Sequence, residues 1–252
     1  LGYEQTESPA QIIKYAIHDG QMDMVLDKTP FYAESGGQVA DKGFISADEF
    51  TFQVEDVQTL GNEFIHIGKI TSGKIDDVRD VNAIIDIPNR QNIRRNHTAT
   101  HLLHQALREV LGDHVHQAGS LVTAESLRFD LTHYEQISPV QLREIENCVN
   151  KIVFLNQKIN TDIKSYKDAR EDGAVSLFGE KYDDMVRVVD VPGFSKELCG
   201  GTHVNLTGDI GMFKIVSQAA LAAGIRRIIA LTGPAVSELL FDQSNLISNI
   251  KK

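Results

Sequence analysis

Toward the C-terminus the sequence reads SKELCGGTHVN, Ser195 to Asn205, with Cys199 four residues before His203 and Gly200 and Gly201 between them. A thiolate and an imidazole at that spacing form half of a metal site of the kind that suits Zn2+. Two cysteines without a repeating spacing cannot build a disulfide framework. Cys148 falls on the apolar spacing of a predicted helix and reads as plain core. Cys199 alone needs a chemical account, and the other half of its site has to lie elsewhere in the chain.

That half stands about a hundred residues upstream, in RRNHTATHLLHQALREVLG, which holds His97, His101 and His104. Ala99, Leu102, Leu103, Ala106, Leu107 and Val110 recur with the period of an amphipathic helix, and Gly112 is a natural stop. At roughly 100° per residue the three histidines share an arc of roughly 60° opposite that apolar stripe. They are expected on the polar face, away from the core. His97 and His101 have the i, i+4 spacing that lets two imidazoles bind one ion. The protease motif HExxH is excluded, because its general-base glutamate is replaced by Thr98. HxxxH on a helix and CxxxH on a glycine loop together make a His3Cys donor set suited to Zn2+, one ion per chain, from His97, His101, Cys199 and His203. His104 is an exposed neighbour, placed either to replace a ligand or to support one from behind. Ligands so far apart in sequence exclude a zinc finger.

The elements that must position these residues fall into two regimes. From Met22 to Asp86, short β-rich runs (MDMVLD, FTFQVEDV, EFIHIGKI, DVNAIID) alternate with Gly, Asn and Asp turn signals, which predicts a small antiparallel barrel. From Pro88 on, long helical periods alternate with strands. SPVQLREIENCVNKIVFLNQ predicts a helix capped by Ser138 with Pro139 at its first position, INTDIKSY, MVRVVDV, MFKIVSQ and IRRIIALTG predict strands, and the tail from Pro234 to Ile250 predicts a last helix. The expected fold is α+β: a small N-terminal antiparallel β-barrel followed by a two-layer α/β sandwich. The expected division is 1–88 for a linker and the barrel, 89–240 for the metal-binding domain, and 241–252 for the start of a C-terminal helix. A net charge of −10 argues against a protein that coats nucleic acid by bulk electrostatics. No apolar run approaches a membrane span and no signal pattern opens the chain, so a cytoplasmic protein with no membrane partner is expected. Arg90, Arg94 and Arg95, and the pair Arg226 and Arg227, read at first as solvated surface.

These motifs resemble the editing region of alanyl-tRNA synthetases, which freestanding alanyl-tRNA editing proteins share. HxxxH with CGGTH is accompanied in order by TPFYAESGGQVADKG at 29–43, HVHQAGSLV at 114–122, LFGEKY at 177–182 and TGDIGMFKIVSQAALAAGIRRIIALTG from 207. Ser176 stands where the family usually has alanine, and Ala40 where it commonly has glycine. The editing domain of threonyl-tRNA synthetases has HxxxH and a distant CxxxH too, but neither the CGGTH loop nor SGGQ. LGYEQTESPAQI resembles a linker and SNLISNIKK the start of a following coiled-coil helix, so an internal fragment is expected rather than a freestanding editor.

The resemblance implies an aminoacyl-tRNA deacylase. An alanine-activating site cannot exclude glycine and rejects serine poorly, so the implied substrates are Ser-tRNA(Ala) and Gly-tRNA(Ala), cleaved at the ester to the terminal ribose. The implied partners are the acceptor end of that tRNA and the remaining domains of the same synthetase, to which aminoacylation and ATP binding belong. Gln117 matches the glutamine that the family places in its editing pocket. An amide is no general base near neutral pH, so its implied work is to orient water or the substrate carbonyl. Cys199 is the ligand most suited to give way to water or substrate if the ion is catalytic. Four protein ligands otherwise describe a closed, structural ion. Thr98, Ser35, Gly36, Gly37, Gly200 and Gly201 are the expected substrate-side residues, and Arg94, Arg95, Arg226 and Arg227 the expected phosphate contacts. The competing reading is a tRNA-binding module with purely structural zinc.

Overall fold

The structure is a computed structural model and describes residues 1–176 and 182–250; all of LFGEKY except Tyr182 lies outside the described residues. Packing divides the chain into two units, Leu1–Gln91 and Asn92–Lys252, where the sequence predicts a boundary near 88.

The first unit is a closed antiparallel barrel of β1 (Glu7–His18), β2 (Gln21–Leu26), β3 (Gly43–Ala47), β4 (Phe50–Leu60), β5 (Glu63–Ser72) and β6 (Asp80–Ile85), in the order β1-β2-β5-β4-β3-β6. Alternate residues enter a core of Met22, Met24, Ile45, Phe50, Phe52, Val54 and Ala83. From Glu7 on, the segment read as a linker belongs to the first barrel strand, paired with β2 on one side and β6 on the other. Its alternation is hard to read because Ile13, Tyr15 and Ile17 point outward and Pro9 speaks against a strand. Gly68 is required on β5, since a Cβ there would run into the Gln53 carbonyl.

Helix α1 (Ile87–Leu111) crosses the division between the units. Its Arg90 is fully buried, paired with Asp41, and donates to the carbonyls of Gly2 at 2.5 Å and Pro30 at 3.2 Å. The sequence reading of a solvated Arg90 is wrong: a buried guanidinium needs several acceptors, and the barrel loops supply them. α1 ends at Gly112, whose φ of 114° suits glycine and whose N–H reaches the Arg108 carbonyl.

In the second unit β7 (Gln117–Val122) and β8 (Leu127–Thr132) join β12 (Phe213–Ala222) and β13 (Ile225–Thr232) in a sheet of order β12-β13-β8-β7. A smaller sheet, β11-β10-β9, contains β9 (Asn160–Ser165), β10 (Met185–Val191) and β11 (Ser195–Leu198). Helix α2 (Pro139–Leu155) is capped as predicted: the Ser138 hydroxyl accepts the Gln141 N–H, and the Gln141 side chain accepts the Ser138 N–H. Leu102 and Leu103 of α1, Ile145 and Val149 of α2, and Phe129, Leu131 and Ile228 of the larger sheet share one core. Asn96 fixes the start of α1 within this unit by donating to the Thr123 carbonyl at 2.9 Å and accepting from the Thr232 hydroxyl at 2.7 Å. α3 (Tyr166–Glu171) is short, and α4 (Gly233–Ile250) is the last helix that the sequence predicts from Pro234 to Ile250. No helix among the described residues is long and apolar enough to cross a membrane.

Candidate metal centre

The two halves of the predicted donor set meet. One side-chain donor atom from each of His97, His101, Cys199 and His203 lies within 4.8 Å of the others. Cys199 Sγ is 3.4 Å from His97 Nε2 and 3.3 Å from His203 Nε2. For comparison, Zn–S and Zn–N bonds of about 2.3 and 2.0 Å give a tetrahedral S···N edge of about 3.5 Å. The two pairs that Cys199 makes are thus already at the spacing that such an ion needs. The Gly201 N–H points at Cys199 Sγ from 3.3 Å, which favours the thiolate form that binds metal.

Strand pairing brings Cys199 to this point. β10 and β11 pair with Val188 opposite Leu198, and the Cys199 N–H continues the ladder to the Arg187 carbonyl at 2.9 Å. The Arg187 guanidinium then donates to the carbonyls of Cys199 at 2.9 Å and Gly201 at 2.8 Å. Arg187 thus buckles the loop from both ends of its turn, a role without a sequence motif. It became visible only once the chain had doubled back.

The histidines do not lie on a solvated face. His97, His101 and His104 are 4–5% exposed, because the side of α1 opposite the Leu and Ala stripe is covered by β11 and the CGGTH segment. The helix is buried on two faces, and the polar one packs against polar partners. His203 turns Nε2 to Cys199 and Nδ1 to Thr98 Oγ1, 3.1 Å away. With Nε2 as the ligand atom, Nδ1 carries the proton and donates it to that hydroxyl. Thr98 also accepts the Val204 N–H at 3.2 Å and is fully buried. The structure engages Thr98 with the His203 ring and the Val204 N–H; the sequence reading expected it on the substrate side.

Glu197 is the residue that sequence reasoning missed. It is 5% exposed, takes a hydrogen bond at 2.9 Å from His104 Nδ1 and lies 3.6 Å from His101 Nδ1. Burial works against charge throughout this cluster, yet at His101, Glu197 and Cys199 opposite charges prevail. Burial lowers the pKa of His101, but Glu197 and Cys199 raise it to about 9. Burial likewise opposes the Glu197 carboxylate, and His101 and His104 hold its pKa below the usual range. Burial would raise the Cys199 thiol, and the three imidazoles bring it well below its ordinary value. His203 goes the other way: burial and the neighbouring His97 charge both disfavour its protonation. Two anions buried among imidazoles form a setting that a divalent cation suits.

The other expected residues lie as follows. Gln117 opens β7, half-buried, with its amide 3.4 Å from the Ser120 hydroxyl. Ser35, Gly36 and Gly37 belong to the barrel unit, where Ser35 and Gln38 exchange backbone hydrogen bonds across a two-residue turn. Gly36 and Gly37 take φ of 57° and 82°, as such a turn requires. The arginines expected at phosphates have internal partners. Arg95 donates to the Asp209 carbonyl and to Asn92, Arg226 is buried against Gln218, and Arg227 grips Asp130 with two bonds of 2.7 and 2.8 Å. Arg94 is half-buried with its Nε out of solvent.

Known proteins can now be set beside this geometry. Residues 186–229, which carry Cys199 and His203, match the family described as the threonyl and alanyl tRNA synthetase second additional domain. Residues 2–89 match class II (A) tRNA synthetases. Over 98% of its length the chain is 46% identical to the alanine–tRNA ligase of Thermoanaerobacter sp. (strain X514). The chain belongs to the alanyl-tRNA synthetase family. Alanine–tRNA ligases of Hydrogenovibrio crunogenus and Clostridioides difficile are each 48% identical, over 99% and 95% of the chain. The chain spans 29%, 30% and 27% of the length of these three relatives. In alanyl-tRNA synthetase terms, the helix histidines lie outside both matched segments and the loop ligands inside one, so only the folded unit shows the complete donor set.

Proposed function

We propose that this segment is the editing part of an alanyl-tRNA synthetase: a zinc-dependent deacylase that hydrolyses serine or glycine from mischarged alanine tRNA. The observation that carries the reading is the convergence of His97, His101, Cys199 and His203 donor atoms within 4.8 Å, in a chain whose loop half matches the synthetase second additional domain. When bound, zinc would supply Lewis acidity and a fixed positive charge at the ester or at the substrate's amino group. The chain's own residues do the rest. Thr98 holds the His203 ring by accepting its Nδ1 proton. Arg187 and the Gly201 N–H hold Cys199. Gln117 contributes an amide that can donate to a carbonyl and accept from water in the same pose, which orients the attack without moving a proton. Covering α1 on both faces keeps bulk water from the ligands, where it would weaken each electrostatic contact.

A binding module with structural zinc is favoured by one fact, the four protein donors, since such a set describes a closed site. Serine-charged alanine tRNA incubated with the chain separates the two. The deacylase reading expects serine release above the uncatalysed rate by wild type and a fall to near background in Gln117→Ala with zinc content unchanged. No release by zinc-loaded wild type at high protein concentration rejects it and leaves the binding module.

A further inference from the structure

We propose that Glu197 is a positioning residue of the metal centre: its carboxylate bridges the Nδ1 atoms of His104 and His101 and holds His101 with Nε2 turned to the metal. The inference rests on the zinc reading above and adds to it a residue that touches no substrate.

Two periodicities produce the arrangement. On α1 the i, i+3 pair His101 and His104 shares one face. On the facing chain, Glu197 and Cys199 are two residues apart in an extended stretch and so point to the same side. A helical pair thus meets a strand pair, with Cys199 among the ligands and Glu197 behind them. Glu197 is fixed from its own side by β-pairing with Val189 of β10 and by a bridge to Val175. Oε1 takes the His104 Nδ1 hydrogen bond at 2.9 Å, which aims Oε2 at His101 Nδ1, 3.6 Å away. His101 Nδ1 is buried and without a hydrogen-bond partner. Glu197 Oε2 faces it from 3.6 Å, so a small rotation of the ring or of the carboxylate completes the contact. A carboxylate behind a ligating histidine fixes which ring nitrogen carries the proton and raises the basicity of the other.

Charge supplies an independent reason. Zinc with one thiolate and three neutral imidazoles keeps one surplus positive charge in a buried site, and an uncompensated buried charge is costly. The Glu197 carboxylate cancels it. His104 then has a defined part: it is not a ligand, and its Nδ1–H orients the carboxylate that serves His101.

The test measures zinc affinity by competition with a chromophoric chelator, and the visible absorption of the cobalt-substituted chain, for wild type and Glu197→Gln. Glutamine can still accept from His104, but it presents an NH2 donor to the His101 Nδ1–H, and two donors cannot pair. The zinc dissociation constant is expected to rise about 10- to 100-fold, as it does when a partner behind a ligand is removed, and the cobalt bands are expected to shift. A Glu197→Gln chain that melts earlier without metal yet binds zinc as wild type does, with the same cobalt spectrum, shows a merely structural role and overturns the proposal. If wild type itself takes up no zinc, the metal reading fails and this one with it, a different outcome from equal binding by both chains. Should Glu197→Gln not fold, His104→Phe removes the bond that aims the carboxylate. Weakened zinc binding then supports the proposal, and unchanged binding and spectrum overturn it.

Discussion

Thr98 replaces the glutamate that would have made this helix a protease motif, and its hydroxyl has two buried donors to satisfy: His203 Nδ1–H at 3.1 Å and the Val204 N–H at 3.2 Å. Valine has nearly the same shape and no acceptor. Thr98→Val is therefore expected to strand both donors, at about 1–3 kcal/mol for each buried group left unpaired, and to loosen His203 in the same step. Urea unfolding should show lower stability, and zinc affinity should fall with it. Thr98→Ser, which keeps the oxygen, should stay near wild type in both measurements. If Thr98 were instead a reader of the serine hydroxyl, valine would change serine release alone and leave stability and zinc binding untouched.

At the scale of elements, the metal centre depends on how firmly β10, β11 and the loop after them hold Cys199. Arg187 does this with one guanidinium nitrogen, whose two hydrogens reach the carbonyls of Cys199 and Gly201. Arg187→Met keeps most of the side-chain length but removes both donors, so the loop should open at Gly201. The expected result is faster zinc loss to a chelator, with far-UV circular dichroism unchanged. A dissociation rate equal to wild type would show that strand pairing alone is enough. The stripe of α1 was legible because it repeats a local period, and the HxxxH and CGGTH halves because donor types stand at short spacing. β2, β4, β5, β6, β9, β10, β12 and β13 were legible as well. β1 was hidden by Pro9 and by its outward apolar residues, and β7 and β8 by the glycine and the charges they carry. Glu197, Arg187 and the burial of Arg90 were not legible at all. Each acquires its role from a partner far away in sequence: His104 for Glu197, the Cys199–Gly201 turn for Arg187, Asp41 for Arg90. The second buried face of α1 belongs with these, since a polar face covered by polar partners has the same sequence pattern as one covered by water.

At the scale of the whole chain, the two units have separate apolar cores, so perturbations of one should be readable apart from the other. Chelation at pH 7.5 should remove amide-exchange protection from β10, β11 and the ligand loop while β1 to β6 keep theirs, because all four donors lie in the second unit. Acid should act on the barrel through His66. Its Nδ1–H donates to the Met24 carbonyl at 3.1 Å and its Nε2 accepts from the Thr29 hydroxyl at 2.7 Å, and burial pushes its pKa down to about 4. Unfolded, the same imidazole takes up a proton near pH 6.5. Between those values the unfolded state binds more protons, so stability falls as the pH falls. The loss begins near pH 6.5, is complete near pH 4, and amounts to about 3 kcal/mol at about 1.4 kcal/mol per pKa unit. Protection in β2 and β5, corrected for the intrinsic pH dependence of exchange, should decline over that window in wild type. In His66→Gln, which keeps polar groups at the site but cannot titrate, the decline should be flatter. Equal slopes in the two chains would mean that His66 does not set the acid limit of the barrel.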